Sequence, residues 1–242
     1  HDLVDQMMQA RIKDELVKTF GGNFQQIIIG GAAFNKEADE FFNRIGFPYT
    51  VGYGMTECAP IISYAAWDKT KLFSCGKPAP RMEIRIASAD PGRIPGEIQV
   101  RGDNVMLGYY KNEEATEESF TTDGWMRTGD MGIIDGDGYL FIKGRCKSMI
   151  LGPSGQNIYP EEIEAVINSM LYVIESLVVD SNGKLIALVY PDMELAGKEG
   201  LDKNAILKKM EENIAAVNVD MPNYSKIAGV RVVPEEFEKT PK

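Results

Sequence analysis

Three groups of polar residues, well separated along the chain, carry the side chains that could do chemistry. In the first group, Tyr53 precedes Gly54 and Met55, and Thr56 and Glu57 follow directly. An aromatic ring can stack on a flat base, a hydroxyl can bond a phosphate oxygen, and a carboxylate oxygen suits magnesium. Taken alone, Tyr53 could equally be a core aromatic residue and Glu57 a charge in water.

The second and third groups contribute a carboxylate and a guanidinium. Asp130 follows Gly129 and precedes a predicted strand, where its carboxylate could accept hydrogen bonds from both hydroxyls of a ribose. Arg145 follows Gly144 and offers a fixed fork of donors for hydroxyl or phosphate oxygens. A salt bridge between Asp130 and Arg145 at the end of a hairpin is the alternative interpretation.

Four segments occur in order along the chain: Tyr53-Gly54-Met55-Thr56-Glu57, residues 96–102, Thr128-Gly129-Asp130 and Gly144-Arg145-Cys146-Lys147. This ordered set resembles the adenylate-forming superfamily of acyl-CoA synthetases, luciferases and peptide-synthetase adenylation domains. The resemblance implies that a carboxylate attacks the α-phosphate of ATP, releases pyrophosphate and forms an acyl-adenylate, whose acyl group then passes to a thiol. It also implies ATP, AMP and Mg²⁺ as ligands and CoA as co-substrate.

The resemblance assigns roles to individual positions. It implies catalytic roles for Thr56, Glu57 and Arg145, with magnesium held at Glu57. It implies nucleotide contacts for Gly30, Gly31, Ala32, Tyr53, Gly54, Asp130 and Arg145. The loop Gly30-Gly31-Ala32-Ala33 has little side chain, so its backbone can approach a flat base closely, and family members place the equivalent loop against adenine. A plain strand-to-helix turn is the alternative for this loop.

The elements that position these groups fall into three regions. Residues 1–71 are predicted to be part of an α/β nucleotide- and acyl-binding subdomain, 72–146 a β-rich, distorted barrel-like subdomain, and 147–242 a mobile α+β domain truncated at its end. In the first region a helix carries apolar residues Val4, Met8, Ile12, Leu16 and Phe20 at helical spacing. Strands over 25–29 and 47–52 then flank a helix capped by Asn35.

The strand-helix-strand order predicts a parallel pair of strands. In such a unit the loops after both strands, 30–34 and 52–57, emerge at the same sheet edge, where open α/β sheets bind ligands. The predicted fold class is therefore an α/β subdomain followed by a β-rich subdomain and a small α+β domain. Together they correspond to part of an adenylate-forming fold.

The third region is predicted to contain a helix that begins at Pro160 and carries on one face Ile163, Val166, Ile167, Met170 and Leu171. A hairpin turning at Ser181-Asn182-Gly183 follows. A second helix capped by Asp202 directs inward Ile206, Leu207, Met210 and Ile214, and a last strand covers 227–233.

Lys147 lies where the superfamily places a hinge between its large and small domains, so its predicted role is a change of backbone dihedral angle. The loop 152–157 resembles the mobile loop that lines the thiol channel after domain rotation, with a plain connector as the alternative. The superfamily also has a Ser/Thr/Gly-rich phosphate loop before Tyr53, which we do not find over 1–51, and a catalytic lysine near its C-terminus. We therefore expect a fragment without useful ligase activity, in which Lys242 or a residue beyond the sequence is that lysine.

Composition limits the other classes of function. A net charge of −10 without a cluster of Lys and Arg argues against nucleic acid as a partner. Three widely spaced cysteines do not suggest a disulfide framework or a zinc site, which favours a cytoplasmic protein. No apolar run is long enough to span a bilayer, although peripheral association of the parent protein with the inner face of a membrane stays open. His1 is the sole histidine, which excludes an internal catalytic histidine.

The sequence indicates the identity of the acid substrate less clearly than the type of reaction. Residues 58–64 are mostly small and apolar, which suits a fatty acyl chain. The sequence from Tyr53 to Tyr64 and the spacing through residues 157–164 most resemble those of bacterial long-chain fatty acid CoA ligases. Aryl or amino acids as substrates, a carrier protein as acceptor, and a non-catalytic nucleotide-binding homologue remain alternatives.

Overall fold

The computed structural model describes residues 2–153 and 155–238. They form two compact units, His1–Lys143 and Gly144–Lys242, and each is described by itself. His1, Ser154 and Lys242, the last a candidate for the catalytic lysine, lie outside the described residues. Within the described ranges, every helix is too short or too polar to cross a bilayer.

The first unit begins with alternating helices and strands: α1 (Asp2–Thr19), β1 (Ile27–Ile29), α2 (Lys36–Arg44) and β2 (Tyr49–Val51). β1 and β2 pair in parallel, and Oδ1 of Asn35 accepts a 2.9 Å hydrogen bond from the backbone N of Ala38. The predicted strand-helix-strand unit and its cap are therefore confirmed.

Aromatic residues form the core of the strand-helix-strand part of the first unit. Ile45, Phe47 and Tyr49 are buried, and the ring centroids of Phe42 and Phe47 are 4.8 Å apart. Helix α1 forms as predicted, but only its C-terminal part packs on this core, through residues such as Leu16. The other apolar residues at helical spacing are largely solvent-exposed: Val4, Met8, Ile12 and Phe20, although the Phe20 ring still packs against those of Phe24 and Phe47.

The rest of the first unit is mainly β-structure, which begins at Tyr53, before the predicted start of the β-rich subdomain at residue 72. A three-stranded sheet, in the order β3-β4-β5, contains β3 (Tyr53–Gly54), β4 (Ile61–Tyr64) and β5 (Lys77–Pro78). A four-stranded sheet, in the order β6-β7-β8-β9, contains β6 (Met82–Ala87), β7 (Gly96–Gly102), β8 (Met126–Ile134) and β9 (Leu140–Arg145). The last two residues of β9 already belong to the second unit. One short helix, α3 (Glu113–Ser119), interrupts the strands and was not expected from the sequence.

The second unit is α+β. Its elements are β10 (Ile150–Leu151), β11 (Asn157–Ile158), α4 (Pro160–Ile167), β12 (Val173–Ser181), β13 (Lys184–Pro191), α5 (Met193–Lys198), α6 (Lys203–Asp220) and β14 (Ile227–Val232). β12 and β13 are antiparallel, and β13 pairs with β14 in parallel. The predicted hairpin is confirmed, because Asn182 and Gly183 both have positive φ, as a two-residue turn of this kind requires.

Helices α4 and α6 supply much of the apolar core of this unit, through Ile163, Ile167, Ile206, Met210 and Ile214. Two predicted helix positions are wrong. Leu171 is 62% exposed because α4 ends at Ile167, before it, and Leu207 is 39% exposed because it follows Ile206 and turns away from the buried stripe.

Candidate functional site

The loops after β1 and β2 leave the same edge of the parallel pair, as predicted. The backbone N of Gly52 donates a 2.8 Å hydrogen bond to the carbonyl of Ile29, where both strands end. A Cβ on Gly30 would lie only 3.2 Å from the carbonyl oxygen of Gly52, so the two backbones are nearly in contact there. Gly31 and Ala32 are exposed, and this side-chain-poor loop presents its backbone to solvent.

A tight turn presents Thr56 and Glu57 to solvent. Residues Thr56–Cys58 form one turn of 3-10 helix, closed by a 2.9 Å hydrogen bond from the backbone N of Cys58 to the carbonyl of Met55. Thr56 is exposed, Glu57 is half-buried and Cys58 is fully buried. The turn thus separates the two polar side chains from the core residue that follows them.

The hydroxyl of Tyr53 donates a 2.6 Å hydrogen bond to Oδ2 of Asp130, and both residues are 8% exposed. Burial raises the pKa of Tyr53 far above its usual value, and the charge and hydrogen bond of Asp130 raise it further. Thr128 fixes the strand here, since its hydroxyl donates to the carbonyl of Ile98 at 2.8 Å and accepts from the N of Asp130. The ring of Tyr53 belongs to the core, so its stacking on a base stays a prediction.

A second segment, residues 104–109, is hydrogen-bonded to the turn at Thr56–Cys58. The hydroxyl of Tyr109 donates a 2.8 Å hydrogen bond to Oε1 of Glu57, and the N of Met106 donates to the carbonyl of Glu57 at 2.7 Å. The side-chain amide of Asn104 donates to the carbonyls of Cys58 and Ile61. Sequence reasoning missed this segment, because no local pattern links it to a turn about fifty positions earlier.

The chemistry of Glu57 fits magnesium that arrives with a nucleotide. In the described ranges, no group of three or more His, Cys, Asp or Glu side chains could hold a metal ion by itself. Mg²⁺ typically takes one or two carboxylates together with substrate phosphates and water, so a single accessible carboxylate is adequate.

The remaining predicted residues lie in the second unit. Arg145 is exposed at the end of β9, and Lys147 is exposed in the turn between β9 and β10. In the predicted loop 152–157, the backbone N of Gly152 donates a 2.7 Å hydrogen bond to the carbonyl of Gln156, and Asn157 is already the first residue of β11. The roles of Arg145, Lys147 and this loop stay predictions.

Comparison with known proteins gives two family matches. The AMP-binding enzyme family matches residues 2–110, and the AMP-binding enzyme C-terminal domain matches residues 147–242. The long-chain-fatty-acid–CoA ligase FadD15 of Mycobacterium bovis is 29% identical over 98% of the chain and 40% of its own length. A 2-succinylbenzoate–CoA ligase of Bacillus licheniformis is 36% identical over 82% of the chain and 42% of its own length.

The fold is also shared with a solved structure. An o-succinylbenzoate CoA synthetase from Bacillus subtilis, in complex with ATP and magnesium, has a TM-score of 0.69 at 28% identity. The similarity covers 90% of the present chain and 46% of the synthetase. The chain therefore spans less than half the length of each of these three proteins.

Proposed function

The chain belongs to the AMP-binding enzyme family, and on that premise we propose that it is the C-terminal part of an AMP-forming acid–thiol ligase. In this proposal the whole protein activates a carboxylic acid with ATP and transfers the acyl group to CoA. The observation that carries the proposal is the Tyr53–Asp130 hydrogen bond. It joins two of the motifs behind the resemblance and brings Asp130 to the strand that leads directly into Thr56 and Glu57.

In this proposal, individual residues of the chain have the following roles in binding ATP and Mg²⁺. The exposed hydroxyl of Thr56 bonds a phosphate oxygen, and the Asp130 carboxylate accepts hydrogen bonds from the ribose. The backbone of Gly30, Gly31 and Ala32 lies against the base. Glu57 holds Mg²⁺, which supplies charge stabilisation to the phosphates when it is bound. These groups orient the α-phosphate for attack by the carboxylate of the acid, and pyrophosphate leaves.

For the acid, we favour a long-chain fatty acid. Within residues 58–64, Cys58 and Ile62 are fully buried in the core, so only neighbours such as Ile61 and Tyr64 could contact an acyl chain. These two border an open cavity of about 480 Å³, whose lining includes the apolar Ile28 and also the charged Arg81 and Asp103. An aromatic acid is the second candidate, favoured by the similarity to 2-succinylbenzoate ligases.

Release of pyrophosphate by the full-length protein tests this function. The protein should be incubated with Mg²⁺, ATP and a panel of acids that includes saturated fatty acids of increasing length, benzoates and amino acids. Acid-dependent release that rises with chain length would support the fatty acid proposal, and preference for benzoates would replace it with the second candidate. Absence of release with every acid would contradict ligase activity. Formation of a CoA thioester in a second assay distinguishes CoA from a carrier protein as acceptor.

The separate chain gives a further test. We expect weak nucleotide binding and no useful thioester formation, because the phosphate loop of the superfamily is not found over residues 1–51. Thioester formation by the chain at the rate of the full-length protein would contradict this expectation.

A further inference from the structure

Segment 104–109 contacts the Thr56–Cys58 turn at both backbone and side chain. The backbone N of Met106 donates a hydrogen bond to the carbonyl of Glu57, and the hydroxyl of Tyr109 donates one to the carboxylate of the same residue. Asn104 adds a 2.9 Å hydrogen bond to the carbonyl of Ile61, just after the turn. Glu57 is therefore restrained at both ends by one stretch of chain that is distant in sequence.

This segment is itself anchored. The N of Tyr109 donates a 2.9 Å hydrogen bond to the hydroxyl of Thr116 in α3, and that hydroxyl donates to the carbonyl of Asn112. The side chain of Asn112 caps α3 by accepting from the N of Ala115. These bonds attach the backbone of Tyr109 to α3, so the point from which its side chain extends is held by a helix as well as by the loop.

We propose that Tyr109 is a positioning residue, which holds the Glu57 carboxylate in the orientation that binds Mg²⁺·ATP. The inference rests on the proposed function of Glu57. A glutamate side chain has several rotatable bonds, and most of its conformers must be excluded before it can meet a cation at a fixed place. The hydrogen bond from Tyr109 to Oε1 excludes many of them and leaves the Oε2 side of the carboxylate for the cation.

A purely structural role explains this contact less well. Tyr109 is 40% exposed, so removal of its hydroxyl leaves no buried polar group unsatisfied and should cost little folding stability. The next residue, Tyr110, is 88% exposed and shares the same loop, which makes it a matched control. The comparison of the two tyrosines tests the hydrogen bond that Tyr109 donates to Glu57.

The experiment uses the full-length protein with the variants Tyr109→Phe, Tyr110→Phe and Glu57→Gln. Binding of Mn²⁺ in the presence of ATP and absence of acid, followed by electron paramagnetic resonance, needs no turnover. We expect Tyr109→Phe to weaken Mn²⁺ binding about threefold to tenfold, the effect of one partly exposed hydrogen bond to a charged group. Tyr110→Phe should bind as the parent does. In the Glu57→Gln background, Tyr109→Phe should have no further effect.

A second readout separates positioning from general damage. In the pyrophosphate assay, the rate of Tyr109→Phe should rise toward that of the parent as Mg²⁺ is increased, because excess metal compensates for weaker binding. Unchanged Mn²⁺ binding in Tyr109→Phe, or an equal loss in Tyr110→Phe, would overturn the inference. If the parent releases no pyrophosphate with any acid, the proposed function fails, whereas the Mn²⁺ titration still decides the role of Tyr109.

Discussion

The hydroxyl of Tyr53 lies 2.6 Å from Oδ2 of Asp130, so two residues from separate motifs share one hydrogen bond inside the first unit. Both are almost fully buried, and the raised pKa of Tyr53, due first to burial, keeps its hydroxyl protonated as the donor. The bond ties the strand that precedes Thr56 and Glu57 to strand β8. Asp130 therefore has a structural partner as well as its predicted role toward ribose.

Replacing Asp130 by Ala should weaken ATP binding in the full-length enzyme. Loss of a charge-assisted hydrogen bond to ribose corresponds to about 1.5–3 kcal/mol, or more than about tenfold in the KM for ATP. The KM for the acid should change little. Tyr53→Phe is the control, since it removes the Tyr53–Asp130 bond and keeps the carboxylate, and it should have the smaller effect on ATP. A variant whose acid KM moves while its ATP KM stays fixed would contradict the assignment.

Replacing Glu57 by Gln should slow adenylation far more than it destabilises the fold. The lost electrostatic stabilisation is commonly about 3–4 kcal/mol in the barrier, measured as the rate of pyrophosphate exchange at matched Mg²⁺. Glu40→Gln, an exposed position on α2, serves as the control and should behave as the parent. Equal exchange rates for Glu57→Gln and the parent would exclude Glu57 from the metal site.

Glu164 should make stability pH-dependent in the second unit. Burial raises its pKa from 4.5 to about 6, although its carboxylate accepts a 2.7 Å hydrogen bond from the N of Val178. Because the folded pKa is raised, the favourable contribution is complete below pH 4.5 and is lost as the pH rises through about 6. Glu164→Gln should thus raise the free energy of unfolding at neutral pH by about 1–2 kcal/mol.

Urea denaturation of the chain between pH 4 and pH 7, which spans the interval from pH 4.5 to about 6, measures the effect. Glutamine can still accept from Val178, so the geometry is kept while the buried charge is removed. The exposed Glu211→Gln is the control and should leave the pH profile unchanged. Lower stability of Glu164→Gln than of the parent at neutral pH would show that the ionised carboxylate is favourable where it lies.

Gly108→Ala should disturb the segment that carries Tyr109. Gly108 has a φ of +151°, and an added Cβ would lie 2.6 Å from Cγ2 of Thr116, whose hydroxyl anchors Tyr109. We expect a loss of about 1–3 kcal/mol in the free energy of unfolding, measured in urea. At Gly136 an added Cβ meets nothing within 4 Å, so Gly136→Ala should be neutral or slightly stabilising. Equal effects of the two substitutions would mean that the contact with Thr116 can relax freely.

Lys147→Pro tests the predicted hinge in the full-length enzyme. Proline fixes φ at about −65° and removes a backbone N–H. It should therefore trap one orientation of the small C-terminal domain, if that domain rotates about Lys147. Adenylate formation should persist while thioester formation is nearly abolished, with the two half-reactions assayed separately. Lys147→Ala keeps the backbone free and should retain both. Proportional loss of both in Lys147→Pro would indicate misfolding, and loss of neither would place the hinge elsewhere.

The sequence by itself determined the local elements and the candidate motif residues. Periodicity and caps located α2, α4 and α6, and the Asn182-Gly183 turn located the hairpin, because these signals act over a few neighbouring residues. The order of strands and helix was enough to place the loops after β1 and β2 at one edge, since parallel strands connected in this way end together.

Only the tertiary structure decided which side chains meet. The Tyr53–Asp130 bond and the Tyr109–Glu57 bond each join residues more than fifty positions apart, and pairing between distant segments leaves no periodic trace in the sequence. For the same reason Leu171 and Leu207 were assigned wrongly, because helix ends and the direction of packing depend on what the helix lies against. Amino-acid types set which chemistry is available, and long-range packing sets which groups can act together.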